Sequence, residues 1–134
     1  MARIAVSALL VLAGCATAPP PALQAPPDSL PATAWTSVKV ALVVRLVARP
    51  GQEEALAGFL AAAAPLAQAE SFTQAWFALR AAPAVFYIVD AFANDADRQK
   101  HLTGEIADAL RAKAGALLAE APSIEKANIL GAKL

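Results

Sequence analysis

The chain of 134 residues holds one histidine, His101. Imidazole is the side chain whose ordinary pKa lies nearest physiological pH, so His101 could take or share a proton in a reaction near neutrality. As a surface or interface residue it would only hydrogen-bond. Asp90 stands in the apolar run VFYIVDAF, where its carboxylate could act as a base if burial raised its pKa. Arg45 could hold an anionic oxygen, or it could pair with Asp90 as a structural ion pair. Trp76, Phe86 and Phe92 could stack on a flat aromatic ligand; as plain core residues they would do nothing more than fill space. These types allow acid–base chemistry on an organic ligand. Other chemistries lack their residues. One histidine, one cysteine and no carboxylates at ligand spacing give a metal no support, and no Gly-rich phosphate loop or nucleophile elbow is present.

Alternation and helical spacing supply the elements that would position these groups. Val38 to Arg49 alternates with period two, which predicts a strand. Val38, Val40, Leu42, Val44, Leu46 and Ala48 share a purely apolar face expected to lie under helices. Pro50-Gly51 breaks the strand. Gln52 to Ala69 is expected to be a helix, with Glu53 and Glu54 suiting its N-terminal dipole. Its buried stripe is Leu56, Phe59, Leu60, Ala63, Leu66 and Ala67, and Pro65 should kink or split it. Thr73 to Arg80 and Ala84 to Ala93 are predicted as strands joined by a turn at Ala81-Ala82-Pro83. Asn94 should cap a short helix carrying His101. Gly104 interrupts, and a helix from Glu105 to about Glu120 would bury Ile106, Leu110, Leu117 and Leu118. Pro122 stops it, and Ile124 to Leu134 is the last strand.

The order βαββαβ predicts an α+β, ferredoxin-like fold: a four-stranded antiparallel sheet with helices on one face. The other face would carry Ala41, Val43, Arg45, Val47, Trp76 and Ala78. If Val85 and Val89 lie under the helices, then Phe86, Ile88, Asp90 and Phe92 join this open face, and Tyr87 packs beneath the helices. So large an apolar surface is rarely left in water. A second copy packed sheet against sheet would cover it, giving a homodimer; a loop or Trp35 could cover it instead.

The N-terminus carries an address rather than fold information. Arg3 precedes a short apolar stretch, Ile4 to Leu12, too short to span a membrane. Leu12-Ala13-Gly14-Cys15 has the form of a bacterial lipoprotein cleavage box, so residues 1–14 are expected to be a signal peptide and Cys15 the lipidated residue. Ala16 in second place resembles an outer-membrane sorting signal, which puts the protein at the cell envelope on the periplasmic side. Residues 15–36 hold most of the chain's ten prolines and form a tether. In polyproline II form, about 20 residues at about 3.1 Å each reach about 60 Å from the lipid. Residues 37–134 are the folded unit, about 100 residues, enough for one modest core.

The formal charge is +0 and the sequence pI about 6.6. With no basic patch, nucleic acid is not an expected partner. The hydrophobic fraction of 58% owes much to alanine and the signal segment, and no apolar run after Cys15 is long enough to span a bilayer.

The runs AWFALR, FYIVDAFAND and RQKHLTGEIADAL, with the ending EAPSIEKANILGAKL, resemble the antibiotic biosynthesis monooxygenase domain family. In style they are nearest its branch of proposed quinol monooxygenases. The resemblance spans about Val38 to Leu134. It implies a dimeric α/β barrel with a pocket against each sheet. It also implies oxygenation of a small phenol, quinol or anthrone without metal or flavin, the deprotonated substrate supplying the electrons. His101 matches the histidine that recurs on this helix in the family. A haem-degrading sub-class is disfavoured, because Phe92 stands where those enzymes use tryptophan and the first strand holds no asparagine. Two function classes follow: a cofactor-independent monooxygenase acting on a small aromatic compound at the envelope, or a non-catalytic dimeric lipoprotein that binds a hydrophobic ligand or a protein.

Overall fold

The computed structural model describes residues 38–133. The expected signal peptide, Cys15, the tether, Trp35 and the terminal Leu134 lie outside the described residues. The elements run β1 (Val40–Val47), α1 (Glu53–Ala69), β2 (Ala75–Ala82), β3 (Val85–Phe92), α2 (Asp95–Leu102), α3 (Glu105–Leu117) and β4 (Ser123–Asn128). The strands form one antiparallel sheet in the order β2-β3-β1-β4, with all helices on one face. The fold is the expected ferredoxin-like α+β plan.

The boundaries differ from expectation in physically readable ways. Pro65 lies inside α1 without dividing it; the helix loses one backbone hydrogen bond and packing holds the rest. β2 and β3 are joined through Pro83-Ala84, one step later than expected, because a bulge between Arg80 and Ala82 advances the register. β4 is shorter than Ile124 to Leu134.

The core lies between sheet and helices. Leu42, Leu46, Leu56, Phe86 and Phe92 are its most buried large apolar side chains. α1 buries Leu56, Leu60, Ala63 and Ala67, as its spacing predicts, while Leu66 stays exposed.

The phase of two strands reverses the conditional assignment made from sequence. β1 opposes β3 with Val40 against Phe92, Leu42 against Asp90, Val44 against Ile88 and Leu46 against Phe86. Directly opposed residues share a face, so Phe86, Ile88, Asp90 and Phe92 lie under the helices, and Val85, Tyr87 and Val89 lie on the open face. Trp76 opposes Asp90 and Ala78 opposes Ile88 in the β2–β3 pair, which puts both under the helices as well. The open face instead carries Phe77 and Leu79, 50% and 47% exposed, beside Ala41, Val43, Arg45 and Val47. The reason is volume. The bulky rings of Phe86 and Phe92 fill the space beneath the helices, and the one charge that travels with them, Asp90, meets a partner there.

Candidate active site

That partner comes from α2. Asn94 caps this helix, its side chain accepting from the Asp97 N–H at 2.9 Å. The inward face of α2 is unusual: its two buried residues are Arg98 and His101, three apart and therefore on one side of the helix. A helix facing its core with a guanidinium and an imidazole is held by hydrogen bonds as much as by apolar burial. Arg98 Nη1 donates to the carbonyls of Ala41 and Ala127, both at 3.2 Å, and its Nη2 pairs with Asp95. It fixes α2 across β1 and β4, and one turn later the helix delivers His101 to the sheet.

His101 is 5% exposed and lies between two carboxylates. Its Nδ1 is 2.6 Å from Glu70 Oε2, and its Nε2 is 3.0 Å from Asp90 Oδ2. The two contacts differ in kind. The Glu70 contact has hydrogen-bond geometry. The Asp90 contact is a close charge contact off the hydrogen-bond axis, and both Asp90 oxygens lack a well-aligned donor. The Thr73 hydroxyl donates to the same Glu70 oxygen at 2.6 Å. The Phe92 ring stands behind the imidazole, centroids 5.3 Å apart and tilted by 48°.

The electrostatics follow from burial and count. Asp90 is 1% exposed, and loss of water raises its pKa above the ordinary 3.8, only partly opposed by His101. Burial alone would lower the His101 pKa. The close contact with Asp90, the hydrogen bond with Glu70 and the charges of both carboxylates outweigh it and hold His101 above its ordinary 6.5. Two carboxylates flank one imidazolium, so the fully ionised cluster carries one surplus negative charge, and the poorly bonded Asp90 is the surplus member.

Asp90 and His101 border a cavity of about 190 Å³ between the sheet and α2–α3. The remaining lining is apolar except for Arg111, and includes Leu42, Val44, Ile88, Leu110 and Ile124. The mouth lies toward Ile124 and Arg111, the exposed members of the lining, between β4 and α3. A cavity of about 150 Å³ accepts a benzene-sized guest, so this one suits a single substituted aromatic ring.

Of the residues singled out from sequence, His101 and Asp90 meet at this cavity. Phe92 supports His101 from the core without lining the cavity. Phe86 lies in the same core, beneath the Arg80 guanidinium at 5.2 Å, and Trp76 borders a different hollow beside Thr73 and Gln74. Arg45 lies on the opposite face of the sheet, paired with Glu120 at 2.8 Å and not with Asp90. Glu70 and Arg98 were missed. Glu70 follows α1 as its C-cap, and its one sequence signal was an acidic residue closing a helix whose charged residues otherwise lie in its first turn. Among the described residues no group of three or more His, Cys, Asp or Glu is arranged to hold a metal ion.

Solved structures share this antiparallel four-stranded sheet with helices on one face. A proposed antibiotic biosynthesis monooxygenase from Caulobacter crescentus superposes with a TM-score of 0.62, over 71% of this chain and 92% of that one, at 18% identity. PA3566 from Pseudomonas aeruginosa is 25% identical over 71% of this chain and 97% of its own, with a TM-score of 0.62. NE2512 from Nitrosomonas europaea, a protein of unknown function, is 59% identical over 73% of this chain and 95% of its own, with a TM-score of 0.72. The chain belongs to the family of NE2512. No protein-family model and no curated protein matches its sequence.

Proposed function

We propose that this protein is a cofactor-independent monooxygenase of a small phenol or quinol. The observation that carries the proposal is the surplus carboxylate: Asp90, almost fully buried, keeps two acceptor oxygens without aligned donors beside an apolar cavity. A buried acceptor left unbonded costs about 1–3 kcal/mol, and a ligand hydroxyl would supply the missing donor. Asp90 then takes the hydroxyl proton, and its raised pKa makes it a better base. His101, held as imidazolium, steadies the negative charge that develops on the substrate oxygen. The phenolate gives electrons to dioxygen. For a quinol, quinol plus O₂ becomes hydroxyquinone plus water: one oxygen atom bonds to the ring and the other leaves as water. The cavity volume suits one aromatic ring.

The wider setting is proposed with it. Phe77, Leu79, Val43 and Tyr87 make the open sheet face a self-complementary surface for a homodimer. The box ending at Cys15 would anchor the dimer at the periplasmic side of the envelope, within reach of membrane quinols.

Oxygen uptake with simple quinols and phenols is the direct test, with one O₂ consumed per substrate and one labelled oxygen atom retained in the product. Saturable binding of these compounds without oxygen uptake would establish the alternative, a lipoprotein that binds hydrophobic ligands without turnover.

A further inference from the structure

We infer that Glu70 is the positioning residue of this site: its carboxylate fixes the orientation of His101 and holds the ring as a cation facing Asp90. The inference rests on the proposed use of Asp90 as the acceptor of the substrate proton, and its physical core can be tested without turnover.

Three features support it. The first is geometry: Glu70 Oε2 accepts from His101 Nδ1 at 2.6 Å and from the Thr73 hydroxyl at 2.6 Å. With Nδ1 bound to a fixed acceptor, Nε2 has one direction left, toward Asp90 Oδ2 at 3.0 Å. A ring flip would forfeit the better bond. The second is space. A Cβ added at Gly104 would stand 3.0 Å from Glu70 Oε1 and 3.3 Å from the Lys100 carbonyl. The missing side chain at the α2–α3 junction is what lets a carboxylate from a different connection reach the imidazole. The third is burial: the Glu70 side chain is 11% exposed, although it follows an alanine-rich helix end where a charge could readily face water. Burying a carboxylate is unfavourable unless it is hydrogen-bonded and paired, and here the partners are Thr73 and His101.

The charged groups that govern the ring come from two elements, Asp90 on β3 and Glu70 in the α1–β2 connection. Phe92 of β3 presents an uncharged ring, and Arg111 of α3 borders the same cavity. Holding the imidazolium is what keeps Asp90 usable. Without Glu70 the ring sheds its proton at lower pH, and Asp90 loses the cation that favours its ionised form.

His101 is the chain's one histidine, so proton NMR of the folded domain reports its titration without assignment. Glu70→Gln preserves shape and removes the charge. The His101 midpoint should move down in Glu70→Gln, and Glu70→Asp should restore part of the shift. Gly104→Ala, which pushes the carboxylate aside and leaves its charge, should move the midpoint in the same direction by less, and it provides a second variant should Glu70→Gln fail to fold. In oxygen uptake, the alkaline limb of the kcat profile should follow the His101 midpoint downward. Rates above that limb should fall about 10–100-fold, the loss seen when a group orienting a metal-bound histidine is removed. An unmoved midpoint in both Glu70→Gln and Gly104→Ala overturns the inference even if the enzyme is active. A wild-type protein that consumes no oxygen overturns the functional reading, while the NMR titration still decides the role of Glu70.

Discussion

Replacing Asp90 with asparagine separates a site kept for chemistry from an ion pair kept for stability. The cluster of Glu70, His101 and Asp90 carries charges of −1, +1 and −1 when fully ionised. In Asp90→Asn it becomes neutral, and the better-bonded pair, Glu70 with His101 at 2.6 Å, survives. The imidazolium attraction lost at 3.0 Å is about 5–6 kcal/mol at an effective dielectric near 20. The cost of keeping the carboxylate out of water is several kcal/mol. The two nearly cancel, so the melting temperature should hold or rise by up to about 8 °C, the equivalent of about 1 kcal/mol in a domain of this size. A structural ion pair broken on one side would cost about 3–5 kcal/mol instead, a fall of about 12 °C or more.

The pH dependence gives a second check on the same variant. Because burial raises the Asp90 pKa above 3.8, the native state binds this proton more tightly than the unfolded chain. Its contribution to stability is therefore full below pH 3.8 and is lost as pH rises through the folded pKa. The advantage of Asp90→Asn should be absent at acid pH and should grow through that window. Calorimetry across pH measures it, alongside oxygen uptake, which should fall about 10²–10⁴-fold. A large drop in melting temperature with unchanged oxygen uptake would refute the reasoning at both points.

The other expectations are simpler to read. Phe92→Ala should cost about 3–5 kcal/mol, seen in denaturant melts, and should displace the His101 NMR signal because the ring 5.3 Å away is gone. Val43→Asp should leave the melting curve of the isolated domain nearly intact and convert a dimer to a monomer by light scattering; a wild-type monomer at micromolar concentration would defeat the dimer. Cys15→Ser should move the protein from the membrane fraction to the soluble one, and full retention on membranes would defeat the lipid anchor.

Most of the fold was legible because it is written in short-range patterns. The alternation of Val40 to Val47 placed Leu42, Val44 and Leu46 under helices; Asn94 marked its helix start; and the order of elements left one plan. The phase of β2 and β3 was not legible. In VFYIVDAF both alternate faces carry apolar residues, and its one charged residue, Asp90, points to solvent by the usual rule. That rule fails only when a buried charge has a partner, and its partner, His101, lies 11 positions away in sequence on another element. A pairing of Arg45 with Asp90, one of two roles open to it from sequence, rests on charge alone, and β1 presents Leu42 and not Arg45 to that carboxylate.

The residues that escaped the sequence share a physical character. Glu70, Arg98 and Gly104 carry no period, because each is fixed by one contact across the fold: Glu70 by the imidazole it holds, Arg98 by two strand carbonyls, Gly104 by the carboxylate it leaves room for. Hydrophobic burial would be satisfied by leucine or alanine at all three positions. Instead the chain places polar groups where each depends on the next: Arg98 seats α2, α2 presents His101, Gly104 admits Glu70, and Glu70 turns the ring toward Asp90. Each step favours one orientation of His101, and that orientation brings a cation to a carboxylate whose own oxygens remain available beside an apolar cavity. An ion pair kept for stability would put an aligned donor on those oxygens. Leaving them open is consistent with a site whose last hydrogen bond is supplied by a ligand.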